Sequence, residues 1–159
     1  MEQTKENFKD KLQYGKDGEK IIAEYFLNKG YSILPLYQFS EDIAPKIFLS
    51  NEVITSPDLT IFKNQKCVFI EVKRKKKWVK FGNIIETGCD NRLYCQYKKI
   101  SQATGIDLFL VFIHEDIEPC GNYYININNI GRYWNGIVKN KNVSPPMYFW
   151  NLDQLNKLK

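Results

Sequence analysis

The chain has 159 residues, 43% of them hydrophobic and 26% charged, values that fit one folded domain over 1–159 and exclude a disordered or fibrous protein. Its formal charge of +5 permits an acidic partner without requiring one, and only three of its 23 basic residues are arginines. The longest apolar run, Leu108 to Ile113, is far too short to cross a bilayer, and the opening Met-Glu-Gln-Thr-Lys lacks the apolar stretch of a secretory signal, so a soluble cytoplasmic protein with no membrane association is expected.

Apolar residues at Phe8, Leu12, Ile21, Ile22, Tyr25 and Phe26 predict a first helix from about Lys5 to Lys29, stopped by Gly30. Gly15 and Gly18 inside it each weaken a helix by about 1 kcal/mol relative to alanine, which points to a close backbone approach or a kink. Tyr31 to Leu36 predicts a strand, and the stretch through Pro45 to Ser50 reads as irregular. Two β runs, Glu52 to Phe62 and Cys67 to Lys73, flank Lys63-Asn64-Gln65-Lys66 and predict a hairpin. After a charged irregular stretch, Arg92 to Thr104 predicts a helix with Leu93, Tyr97 and Ile100 on one face and Gly105 at its end. Leu108 to Ile113 reads as a strand covered on both faces, and Tyr123 to Ile127 as one near an edge. Met147 to Trp150 predicts a short strand, and Asn151 with Gln154 a capping box opening a last helix with Leu152, Leu155 and Leu158.

The chemistry concentrates in Ser56-Pro57-Asp58 and Ile70-Glu71-Val72-Lys73. Side chains two apart on a strand share a face, so Glu71 and Lys73 emerge together while Ile70 and Val72 face the core. Hairpin pairing would bring Asp58 beside Glu71, and two carboxylates held on rigid strands repel each other unless a cation intervenes. Hard oxygen ligands suit Mg²⁺ or Mn²⁺. The four cysteines contain no C-x-x-C pair, and the single histidine, His114, lies far from any cysteine pair, so structural zinc is not expected.

Pro57-Asp58 followed by Glu71-Val72-Lys73 resembles the PD-(D/E)XK nuclease signature, shared by restriction enzymes, archaeal-type Holliday junction resolvases and many phage nucleases. The family's αβββαβ core has the same order as the elements above. The resemblance implies an α/β, restriction-endonuclease-like fold, a central mixed sheet flanked by helices, here with β-rich C-terminal additions. It implies a Mg²⁺-dependent endodeoxyribonuclease in a bacterial or phage-infected cell, leaving 5′-phosphate ends. Asp58, Glu71 and the Ile70 carbonyl would hold the metal, with Glu19 of the first helix as an added acid. Lys73 would position the attacking water. Gln96 corresponds to a polar residue that many members carry near the metal or phosphate.

Lys73-Arg74-Lys75-Lys76-Lys77-Trp78 is a basic run at the end of the motif strand. With Lys80, Arg92 and Lys98 it is expected to contact DNA phosphates, Trp78 being available to stack on a base. So few arginines favour readout of shape or of phosphate over a strict recognition sequence; a junction resolvase, a phage nuclease and a restriction-like endonuclease all stay open under the resemblance. Cutting both strands would favour a homodimer. The alternative is a nuclease-fold module that binds nucleic acid or protein without cutting.

Overall fold

In the computed structural model the described residues are 2–35, 45–115, 118–136 and 145–159, with residues 2–12 and 35 described in backbone only. Helix α1 covers Glu2–Asn28, close to its expected span; Phe8 and Leu12 lie outside the described side chains. It ends where Gly30 takes φ 74°, which lets Tyr31 N–H donate back to the Phe26 carbonyl at 3.0 Å. Strand β1 follows at Ser32–Pro35; the predicted continuation into Leu36, and residues 37–44 beyond it, fall outside the described residues.

The stretch read as irregular contains a short strand, β2 (Lys46–Phe48), which pairs with β3 (Val53–Thr55). The predicted β run from Glu52 to Phe62 is broken at Ser56-Pro57-Asp58, and its second half forms β4 (Leu59–Lys63). Beyond it, β5 (Lys66–Arg74) completes the expected hairpin. Asn64 and Gln65 both take positive φ, 51° and 64°, as a tight two-residue turn between right-twisted strands requires.

Two strands replace the expected irregular charged stretch: β6 (Val79–Phe81) and β7 (Ile84–Asp90). Gly88 of β7 is needed by the strand that pairs with it, residues 147–151, because a Cβ there would lie 2.1 Å from the Tyr148 carbonyl oxygen. Helix α2 (Asn91–Thr104) is capped by the Asp90 side chain and ended by Gly105 at φ 68°. The remaining elements are β8 (Leu108–His114), β9 (Gly121–Asn126), β10 (Arg132–Trp134), β11 (Met147–Asn151) and β12 (Asn156–Lys157).

The predicted last helix is corrected. The Asn151–Gln154 capping box forms, but it opens a single 3₁₀ turn, Leu152–Gln154. Leu155 is already extended, and the chain pairs as β12 with β9. Backbone pairing with an open sheet edge outcompetes a helix too short to be stable alone.

The main sheet has six strands in the order β1-β4-β5-β8-β9-β12, antiparallel except for the central parallel β5/β8 pair. The α1, β1, β4, β5, α2, β8 progression is the expected αβββαβ core. The β-rich additions are real but distributed: β9 and β12 extend this sheet, whereas β10 and β11 join β7 and β6 in a second, four-stranded one. On one face of the main sheet Ile22, Ala23 and Phe26 of α1 pack on Ile70, Val72, Val111 and Ile113. On the other, Tyr94, Tyr97 and Ile100 of α2 pack on Leu110 and Phe112, with Trp150 of β11. β8 is thus covered on both sides, as its unbroken apolar sequence requires.

Candidate active site

Pairing between β4 and β5 stops at Leu59↔Ile70, and the carboxylate of Asp58 takes over where backbone pairing ends. Its Oδ2 accepts the Val72 N–H at 2.8 Å, while the Asp58 N–H donates to Glu71 Oε2 at 3.3 Å. Each acid is therefore tied to the other's strand. Glu71 is 3% exposed, and its Oε1 accepts both the Tyr97 hydroxyl, at 2.5 Å, and the Lys73 ammonium.

Burial, then the charge of Glu71, pushes the Asp58 carboxyl well above its ordinary value; Glu19 pushes the same way, against Lys73 and the Val72 N–H. Glu19 of α1, itself 9% exposed, thus acts on the Asp58 site across the end of the sheet. The neighbouring Gly18 allows this approach: a Cβ there would lie 3.3 Å from both Arg74 Cβ and Ile113 Cδ1. Gly15, by contrast, has nothing within 4 Å of an added Cβ, so only one of the two helical glycines marks a tight contact.

Lys73 is the cation of this group. Burial alone would lower its pKa, but Glu71 and then Asp58 outweigh burial and hold it above the ordinary lysine value. Tyr97 is raised by burial and by Glu71, so its hydroxyl stays protonated and donating. The sequence pattern places Tyr97 only on the core face of α2. The signal for more was its type: a buried tyrosine hydroxyl needs a polar partner, and the facing strand carries one. Gln96, one residue earlier, is half-exposed and makes no hydrogen bond to Glu71 or Asp58 among the described residues.

The basic run separates by environment. Arg74 pairs with Glu115 and lies 4.0 Å from the Tyr14 ring centroid, which commits it to packing. Lys76, Lys77, Lys80 and Arg92 are exposed, and the Lys98 ammonium donates to the Tyr94 hydroxyl at 3.3 Å. Trp78 does not present its ring to the outside. It is 8% exposed and stacks on His114 with ring centroids 3.6 Å apart. His114 is fully buried, and its Nε2 lies 3.2 Å from the Thr87 hydroxyl. An indole beside an imidazole seals the end of β8, a pairing that strand periodicity does not reveal.

Among the described residues no group of three or more His, Cys, Asp or Glu side chains is gathered closely enough to hold a metal ion by itself. Asp58 and Glu71 do form a hard oxygen pair, with the Lys73 ammonium on Glu71 and the charge of Glu19 acting on Asp58. Mg²⁺ is commonly held by only one or two carboxylates, the rest of its shell being water and substrate phosphate, so the donors present fit it. No helix among the described residues is long and apolar enough to cross a membrane.

No family model matches the sequence, and neither does any curated protein. A solved structure does: Hjc, a Holliday junction resolvase from the hyperthermophilic archaeon Archaeoglobus fulgidus, superposes with a TM-score of 0.54 at 10% identity. The match covers 87% of this chain and 84% of that one. At that identity the likeness shows the fold, which is restriction-endonuclease-like: a central mixed sheet with flanking helices.

Proposed function

We propose that the chain is a divalent-metal-dependent nuclease that hydrolyses phosphodiester bonds in DNA, with a preference for branched structures such as four-way junctions. The observation that carries this reading is the Asp58–Glu71–Lys73 group, locked by hydrogen bonds at the strand ends of a resolvase-like fold. A fold alone does not set function, and here the site supplies the argument.

Asp58 and Glu71 are the residues to hold Mg²⁺ or Mn²⁺, with the Ile70 carbonyl a further oxygen by resemblance. When bound, such an ion supplies Lewis acidity and lowers the pKa of a coordinated water. The protein's own groups do the rest. Lys73 is kept charged by Glu71 and Asp58, so it can orient the attacking water through a donated hydrogen bond and stabilise negative charge developing on the phosphate oxygens. Tyr97 holds Glu71 in one orientation. Glu19 adds negative charge on the α1 side, and its strongest support is its effect on Asp58. The exposed Lys76, Lys77 and Lys80, with Arg92, give the approaching backbone a cationic track. Gln96 and Lys98 have no such support.

The test is a panel of linear duplex, single-stranded, flap and four-way-junction DNA incubated with Mg²⁺, Mn²⁺ or EDTA. Metal-dependent cutting, strongest on the junction, is the expected result. Salt-sensitive binding without cutting on every substrate would replace it with the reading of a non-cleaving nucleic-acid-binding module.

A further inference from the structure

Glu71, Lys73 and residue 75 alternate onto one face along β5 and its immediate extension, each about 6.6 Å beyond the last at ordinary strand rise. The Lys75 N–H continues the pairing with β8 by donating to the Ile113 carbonyl at 2.9 Å. Its side chain is partly covered, on the Phe112 side of the sheet, whereas Lys76 and Lys77 are exposed. The ammonium lies 5.8 Å from the Phe112 ring centroid, near enough to Lys73, to His114 and to Cys89 of β7 to interact electrostatically with each. Only partly exposed to water, it makes no hydrogen bond and no ion pair to a described residue.

An ammonium in that position is unfavourable without an anion. Lys73 beside it is already matched to Glu71, and Cys89, its only acidic neighbour among the described residues, is held as a neutral thiol because burial raises it to about 11. Burial and the charge of Lys73 lower the Lys75 pKa to about 8, so it remains mostly charged near neutrality.

We propose that Lys75 is a phosphate-binding residue of the cleft, receiving the nucleic-acid phosphate next to the one held at Asp58 and Glu71. The assignment rests on the nuclease reading for the identity of the phosphate; the anion site itself does not. It makes Lys75 different in kind from the solvated lysines that follow it. A phosphate oxygen supplies the negative partner that the fold withholds, and the adjacent cations at 73 and 75 set the register of the strand.

The test compares wild type with Lys75→Met and Lys75→Arg. Melting is measured in chloride and in inorganic phosphate at matched ionic strength, and binding of a four-way junction in EDTA is measured against salt. Phosphate should raise the melting temperature of wild type and of Lys75→Arg but not of Lys75→Met, and Lys75→Met should reduce the salt-dependence slope by about one unit. In Mg²⁺, cleavage by Lys75→Met should fall about 10- to 100-fold, the loss of one charge-assisted hydrogen bond. An equal phosphate effect in all three proteins overturns the anion site. If wild type cuts no DNA but phosphate protects it and not Lys75→Met, the anion site stands and the nuclease reading falls. If wild type cuts and Lys75→Met matches it in both assays, the nuclease reading stands and the Lys75 assignment falls.

Discussion

Tyr97 and Lys73 converge on one oxygen of Glu71, while the other oxygen receives the backbone of Asp58, so the carboxylate has little freedom to rotate. A hydrogen bond to a charged group is worth about 1.5–3 kcal/mol. Replacing Tyr97 with Phe keeps the ring and the packing of α2 but removes that restraint. Cleavage should drop about 10- to 100-fold while the far-ultraviolet spectrum stays the same. Unchanged turnover in Tyr97→Phe would show that Lys73 and the Asp58 N–H suffice to orient Glu71. The grouping of Glu71 with Lys73, and of Asp58 beside them, is legible in the sequence because strand alternation and hairpin pairing fix which side chains share a face. Tyr97 is not, since nothing in a single sequence states how far α2 slides along the sheet and therefore which of its residues reaches the acid.

At the level of elements, the helices and the buried strands were readable from their periodicity, and α1, α2, β5 and β8 lie close to their expected bounds. What escaped were elements whose existence depends on distant partners. β6 and β7 form because β11 offers an edge, and the end of the chain becomes β12 because β9 does. Trp78 escaped for the same reason: it reads as a base-stacking residue among lysines until β8 places His114 beneath it.

That stack has a measurable consequence. Burial, with the charge of Lys75, lowers the His114 pKa to about 4 from 6.5. Because the folded value lies below the unfolded one, protons bind the unfolded chain first. The fold therefore keeps its full stability above pH 6.5 and loses it as pH falls toward 4, by roughly 2–3 kcal/mol at most. Replacing His114 with Phe, which can still lie against Trp78, removes the titration. Urea melts at pH 7 and 4.5 should show a smaller acid loss in His114→Phe than in wild type, and equal losses would place the acid sensitivity elsewhere.

On the scale of the whole molecule, the mixed sheet is a frame that brings groups together from both of its faces. α1 carries Glu19 from one side and α2 carries Tyr97 from the other, and they meet where β4 and β5 stop pairing. The second sheet borders this region through β7, whose Cys89 lies near enough to Lys73 and Lys75 to interact with both. A strand end stripped of backbone pairing and lined with carboxylates is unfavourable for stability, which is a reason to look there for function. The most direct measurement is cleavage of a labelled four-way junction in Mg²⁺ by wild type beside Glu71→Gln, both checked for native melting. Glu71→Gln keeps the shape of the side chain and its hydrogen-bonding capacity but removes the charge. The account predicts metal-dependent cutting by wild type and none by the folded variant. Equal cutting by the two proteins would contradict it.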